Sequence, residues 1–335
     1  MRKTKRLKMY FVAGFAVVAF LMANGLAGNI QQALAADKWP DKPIQLVVPW
    51  KPGGGTDRSA RMFAPYLAKE LGVPVNIVNV AGGGGWVAWA QMSVWKYPQD
   101  QYMMGIVNIP HVMSYQDPRL KRKETWKDFG WIALHSFDPC TWLVRQKDER
   151  FPDLKAFVNY GKKTPIKINV AGFGGDDHQA LVAVQKKIPD LKTINIYSNS
   201  DAEKIATTLG GETDAIGGNV AYFIPYVLEA KIRYLCVFND ERVRQIPNVP
   251  TFEEITGIKV YAFVARAFVS APKMPEEKRQ ILLKALERAY QIPEYQMKAN
   301  NAGDVIIYKA GADLRKMLED NAKMVAEVKY WEMVK

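Results

Sequence analysis

The chain has 335 residues, with 46 Lys plus Arg against 34 Asp plus Glu, 48% hydrophobic residues, and 9 Trp, 15 Tyr and 14 Phe. That length and apolar content suit one large or two ordinary domains and exclude a disordered or collagen-like chain. Two cysteines and three histidines, with no C-x-x-C or H-E-x-x-H spacing, give no basis for structural zinc, a disulfide scaffold or haem, and no cofactor is called for.

The first residues read as an export signal. Arg2, Lys3, Lys5, Arg6 and Lys8 form a basic head, Met9 to Ala23 is apolar, and Ala33-Leu34-Ala35 is an A-x-A cleavage pattern. The apolar run is shorter than the roughly 20 residues that a membrane span needs. Cleavage after Ala35 removes five positive charges, so much of the formal +12 belongs to the signal. The remaining basic trio Lys121-Arg122-Lys123 reads as a solvated turn, and no nucleic-acid surface is expected.

The rest alternates strand and helix. Ile44 to Val48 is a β-rich run, followed by a glycine turn and a helix with Ala60, Phe63, Ala64, Leu67, Ala68 and Leu71 on one face, stopped by Gly72. Further strands are predicted at Val75–Val78, Met103–Val107, Ile166–Val170, Ile194–Tyr197 and Tyr234–Phe238. Pro275-Glu276-Glu277 opens a helix with Ile281, Leu282, Ala285, Leu286 and Ala289 inward. This alternation predicts an α/β fold with mostly parallel sheets.

Ligands of such folds bind beyond the carboxyl ends of strands, where helix N-termini present free N–H groups. Four loops there are informative: Pro49 to Asp57, Ala81 to Trp86, Asn108 to His111, and Ala171 to His178. Glycine lets backbone approach a ligand, Thr56 offers a hydroxyl, and Trp50 can wall a pocket. Neither glycine turn matches a nucleotide phosphate loop or a dinucleotide fingerprint. Asp176 and Asp177 can cap a helix, and His178 reads equally as a packed ring or a ligand contact. No Ser-His-Asp order, G-x-S-x-G elbow or paired-carboxylate motif argues for catalysis. Cys140 and Cys236 lie in apolar runs and are expected to be buried thiols rather than a bridge.

Five segments in order resemble one family, the periplasmic solute receptors of tripartite tricarboxylate transporters (TctC or Bug family). They are Trp39 to Asp57, with its P-G-G-x-x-D turn; Asn79-Val-Ala-Gly-Gly-Gly-Gly85; Pro98-Gln-Asp-Gln-Tyr102; Ala171 to His178; and Arg242-Val-Arg-Gln-Ile-Pro-Asn-Val-Pro-Thr-Phe-Glu-Glu254. The last, close to R-x-x-x-x-P-x-V-P-T-x-x-E, is the most specific. The resemblance implies a two-lobed periplasmic-binding-protein fold of the second type with crossover strands between lobes. Lobe one would be 36–139 with 258–335, and lobe two 140–257. It implies a receptor, not an enzyme, that hands a small organic anion to large and small membrane subunits. An exported hydrolase or transferase, or a solute-sensing partner, is the alternative.

Carried over, the ligand contacts would be Trp50, Gly53, Gly54, Gly55, Thr56, Asp57 and Asn108 from one lobe. Those from the other would be Gly172, Phe173, Gly174, Gly175, Asp176, His178 and Asn219. In that picture a carboxylate sits on two helix N-termini and needs no buried Lys or Arg. The sequence departs from the family at Gly175 and Asp176, where Ser or Thr is usual. The added carboxylate either repels a second anionic group or grips a donor.

Overall fold

The computed structural model describes residues 39–198, 200–305 and 307–333. The basic head, apolar run and cleavage pattern lie outside the described residues. The chain divides into residues 1–42 and a second unit from Pro43 onward, which carries all the features below. Among the described residues no helix is long and apolar enough to cross a membrane.

Nine strands and ten helices are described in the second unit. The strands are β1 (Ile44–Val48), β2 (Val75–Asn79), β3 (Met103–Ile109), β4 (Gly130–Arg145), β5 (Ile166–Ala171), β6 (Thr193–Ser198), β7 (Ala215–Asn219), β8 (Ile232–Val237) and β9 (Phe263–Ser270). The helices are α1 (Gly55–Leu71), α2 (Trp86–Met92), α3 (Leu154–Lys163), α4 (Asp176–Lys187), α5 (Asp201–Leu209), α6 (Val220–Leu228), α7 (Phe252–Thr256), α8 (Glu276–Gln291), α9 (Pro293–Asn301) and α10 (Gly311–Val328).

The apolar spacing read from the sequence becomes packing. In α1, Ala60, Phe63, Leu67 and Leu71 are buried, and Gly72 ends the helix in the left-handed region at φ 73°. In α8, Leu282, Ala285, Leu286 and Ala289 are buried.

The sheet order is β2-β1-β3-β9-β4-β7-β5-β6, with β8 also on β4. Parallel pairing occurs in two outer sets, β2-β1-β3 and β7-β5-β6. Between them β4 and β9 run antiparallel to every neighbour, so the sheet is mixed. β3 and β4 both run antiparallel to β9 and hence parallel to each other, and the crossover that leads into β4 is built of short 3-10 turns rather than an α-helix.

Its 16 residues serve both sets, pairing first with β9 and then with β7 and β8. The cores divide the same way. One draws on Val47–Leu134 and Phe263–Tyr330, with Val182 from α4; the other draws on Cys140–Ala262. Cys140 and Cys236 are buried free thiols in the second.

Candidate functional site

The turn between β1 and α1 is fixed by an acid folding back on it. Asp57 Oδ2 accepts from the Gly53 N–H at 2.9 Å and from Arg61 Nε at 3.0 Å, and Oδ1 accepts from Asn79 Nδ2 at 2.8 Å. Burial alone would raise this carboxyl, but the bonds from Arg61, Gly53 and Asn79 hold it below the usual range. The helix opens with Gly54 as an extended N-cap whose missing side chain offers no cap bond. The first N–H groups of α1 therefore lack the side-chain oxygen that usually caps a helix.

A buried cation stands beside that opening. Arg266, 6% exposed, sits on β9 with Asn108 of β3 opposite it on one side and Ser136 of β4 on the other. Its Nε donates to Thr56 Oγ1 at 3.1 Å and its Nη1 to Ser136 Oγ at 3.1 Å. Asn108 Nδ2 also donates to Thr56 Oγ1, and Asn108 Oδ1 accepts from Trp50 Nε1. Among the described residues no carboxylate lies within ion-pair distance of the guanidinium, and Nη2 has no hydrogen-bond partner.

A Cβ placed on Gly55 would lie 3.2 Å from Nη2. A charge this buried costs several kcal/mol unless something anionic meets it. Burial pushes the nearby Asp138 carboxyl up to about 7 even though Arg266 pulls it down, and Asp138 is taken up by the Ala221 N–H.

The turn between β5 and α4 carries two acids with different fates. Asp177 folds back, accepting from the Ala171 N–H at 2.8 Å, and pairs with Lys204 Nζ at 2.5 Å; both side chains are 2% exposed. Burial alone would strip the Lys204 proton, but Asp177 and Asp201 override it and hold the amine charged. Asp176 turns the other way. Its Oδ2 accepts from Asn219 Nδ2 at 2.6 Å and Cys140 Sγ at 3.2 Å, and His111 Nε2 lies 3.4 Å from Oδ1.

Burial would raise the Asp176 carboxyl, yet His111, Asn219 and Cys140 bring it below the usual range, so it is ionised. Burial raises the Cys140 thiol well above its ordinary value, which keeps it a donor. Burial likewise lowers His111, whose Nδ1 is buried without a partner.

Several sequence expectations change here. The carboxylate seat was expected to need no buried Lys or Arg, but Arg266 stands at the start of α1. The sequence carried a signal for it: the only charge in the run Phe263–Ser270. His111, Ser136 and Cys140 also join the network and had not been singled out as contacts.

Asp57 and His178, both expected to face a solute, spend their polar atoms on their own turns. His178 Nδ1 accepts from the Gly174 N–H and Nε2 meets the Tyr197 hydroxyl, each at 3.2 Å. Gly174, at φ +82°, lies so close to the Tyr330 hydroxyl that a Cβ would come within 2.8 Å of it. Gly172 and Phe173 lie outward, with Arg119 stacked 4.7 Å from the Phe173 ring. Gly53 is exposed; Gly54, Gly55 and Trp50 are half-buried; Thr56, Asn108, Gly175 and Asp176 are buried.

Trp86 and Trp89 are buried in the core, with Trp50 packed against it. A cavity of about 750 Å³ lies elsewhere, between Phe137, Arg242, Arg244, Glu287 and Asn300. Among the described residues no group of His, Cys, Asp or Glu is placed to hold a metal ion.

A family model described as "Tripartite tricarboxylate transporter family receptor" matches residues 59–329. The chain belongs to that family. A UPF0065 protein from the gbd 5′ region of Cupriavidus necator is 31% identical over 297 residues, 86% of each chain. Two solved structures share the fold. MatC (Rpa3494) from Rhodopseudomonas palustris with bound malate has a TM-score of 0.74 at 21% identity, over 87% of this chain and 99% of that one. Rpa4515 of R. palustris with adipate has a TM-score of 0.78 at 19% identity, over 87% and 97%. As a receptor of this family, the chain is an α/β solute-binding protein of the TctC type, as the five sequence segments had suggested.

Proposed function

We propose that the protein is an exported receptor that captures a small organic carboxylate and delivers it to the large and small membrane subunits of a tripartite transporter. The observation that carries this reading is Arg266. It is a buried guanidinium with no carboxylate within ion-pair distance among the described residues, held by Thr56 and Ser136 against the uncapped N-terminus of α1. A solute carboxylate there gains oriented N–H donors and a fixed cation, and such charge-assisted bonds contribute roughly 1.5–3 kcal/mol each.

Residues 36–139 with 258–335 would form one lobe and 140–257 the other. The separate cores and the two-part pairing of β4 support that division. Closure would then bring Gly54, Gly55, Thr56, Asn108 and Arg266 towards Gly175, Asp176 and Asn219 around the solute. The malate and adipate seated in related folds support the solute class, and the N-terminal signal supports a periplasmic location.

Calorimetry and thermal shift on purified protein against a panel of organic acids test the reading. Saturable binding without turnover is expected, and it is lost in Gly55→Val, where the branched side chain meets the guanidinium. Turnover of a panel member would favour an exported enzyme instead.

A further inference from the structure

We propose that Asp176 is a built-in anion at the far end of the site. The solute would accordingly carry one carboxylate, seated on α1 and Arg266, and a hydrogen-bond donor rather than a second anion at its other end. This rests on the carboxylate reading above and sharpens it.

The N-terminus of a helix that follows a strand is an anion seat. At α1 Gly54 gives no cap, and among the described residues the cation beside it has no carboxylate within ion-pair distance. At α4 the N-cap is again a glycine, Gly175, with no side-chain cap bond, but the protein places a carboxylate of its own beside that end. Asp176 is the first residue of the helix, is 3% exposed, and accepts from Asn219, the residue that starts α6, and from the Cys140 thiol.

The register of the sheet makes this cluster. Cys140 of β4 lies opposite Asn219 of β7, so two donors converge on Oδ2. Among the described residues Oδ1 accepts no hydrogen bond; His111 Nε2 lies 3.4 Å from it, beyond a good hydrogen bond between these atoms, and so it keeps acceptor capacity. His111 in turn packs edge-on to Trp50, 5.4 Å between ring centres, and Trp50 donates to Asn108 in the row that holds Arg266. One continuous network thus has a free cation at one end and a carboxylate with a free oxygen at the other.

A dianion placed along it would bring a second carboxylate against Asp176, and the buried cation Lys204 is committed to Asp177 and Asp201. An amide, hydroxyl or ammonium group there would instead donate to Oδ1. The unpartnered Nδ1 of His111 gives the same end of the network a further polar atom.

The test is calorimetry with matched acids of four to eight carbons: the α,ω-dicarboxylates, their mono-amides, and the amino acids that carry an ω-ammonium in place of one carboxylate. Wild-type protein is expected to bind the best mono-amide or ω-amino acid about tenfold or more tighter than the dicarboxylate of equal length, the effect of one charge-assisted bond gained or lost. In Asp176→Asn that gap is expected to shrink below about threefold, chiefly through tighter dicarboxylate binding. If the variant fails to fold, the wild-type ranking alone decides. Dicarboxylates bound as tightly as their partners by wild-type protein would overturn the role of Asp176 and leave the carboxylate receptor standing. Absence of binding by every acid tested would overturn both.

Discussion

The two glycine turns look alike in sequence, each a strand, a run of glycines and an acid at the start of a helix, yet they are built for opposite tasks. In the turn before α1 the acid, Asp57, is spent on its own loop, and its cation Arg61 is 50% exposed, which leaves the helix end open beside Arg266. In the turn before α4 there are two acids. Asp177 does the work of Asp57 with a cation that is 2% exposed, and the Asp176 carboxylate turns instead to Asn219, Cys140 and His111. The comparison teaches that an acid near a helix start is a lock when its carboxylate can reach back to the turn, and is left for other partners only when another acid has already done so.

The largest expected effect comes from breaking the buried lock. Lys204→Met leaves the Asp177 carboxylate buried without its cation, and removing one partner of such a pair costs about 3–5 kcal/mol. Chemical denaturation should show that loss. A change below about 1 kcal/mol would mean that Asp177 is held by its backbone donors alone.

Next is the open end of α1. Arg266→Met should weaken a bound carboxylate about 100-fold, or roughly 3 kcal/mol. Thermal stability should be unchanged or higher, since the guanidinium is buried without an ion-pair partner. Equal affinity in variant and wild type would place the solute elsewhere. The reverse pattern, affinity kept and stability lost, would make Arg266 a structural part of β9.

This residue also marks how far the sequence could be read. Strands β1, β2, β3, β5, β6 and β8 and helices α1 and α8 follow from apolar spacing, and the two turns follow from glycine before a helix; β7, with its paired glycines, does not. β4 was not legible because Ser136, Asp138 and Pro139 interrupt its apolar pattern. Arg266 was not legible as a site residue because it meets Thr56 across 210 positions of chain, through a register that only the assembled β3-β9-β4 pairing sets. Asp176 and Asp177 are alike in type, and the sequence shows that both stand at a helix start but not which partners each one finds. Which one turns back depends on Lys204 and Asn219, supplied by later elements.

The α4 turn adds a histidine pH dependence, in a window above the acidic one in which Asp57 of the α1 turn titrates. Burial, with Arg119 adding to it, lowers the His178 imidazole to about 4, and its Nδ1 is already an acceptor from Gly174. The unfolded chain takes a proton near 6.5 while the folded one does not, so this residue's contribution is complete above about 6.5 and is lost as pH falls towards 4. His178→Gln keeps an acceptor and a donor in place but does not titrate. It should remove about 2–3 kcal/mol of acid destabilisation over that window, read as a shallower slope of stability against pH. Burial lowers His135 to about 3 as well, and that contribution is common to both proteins, so the difference between the slopes isolates His178. Parallel slopes would show that His178 is protonated in the fold after all.

The smallest effect should come from the lock of the α1 turn, and it is the sharpest check on the comparison. Arg61→Met removes the cation from Asp57, as Lys204→Met does from Asp177, so the two variants differ chiefly in burial. Half-exposed Arg61 leaves water able to solvate what it abandons, and Asp57 keeps the Gly53 N–H and Asn79 Nδ2. Exposed pairs contribute about 0–1 kcal/mol, and that is the expected loss, shrinking further in high salt. Carboxylate affinity should stay within about twofold, because the backbone bond from Gly53 still holds the turn that aims α1. A loss as large as that of Lys204→Met would mean that the α1 turn depends on its surface cation, and the contrast between an outer and an inner lock would fall.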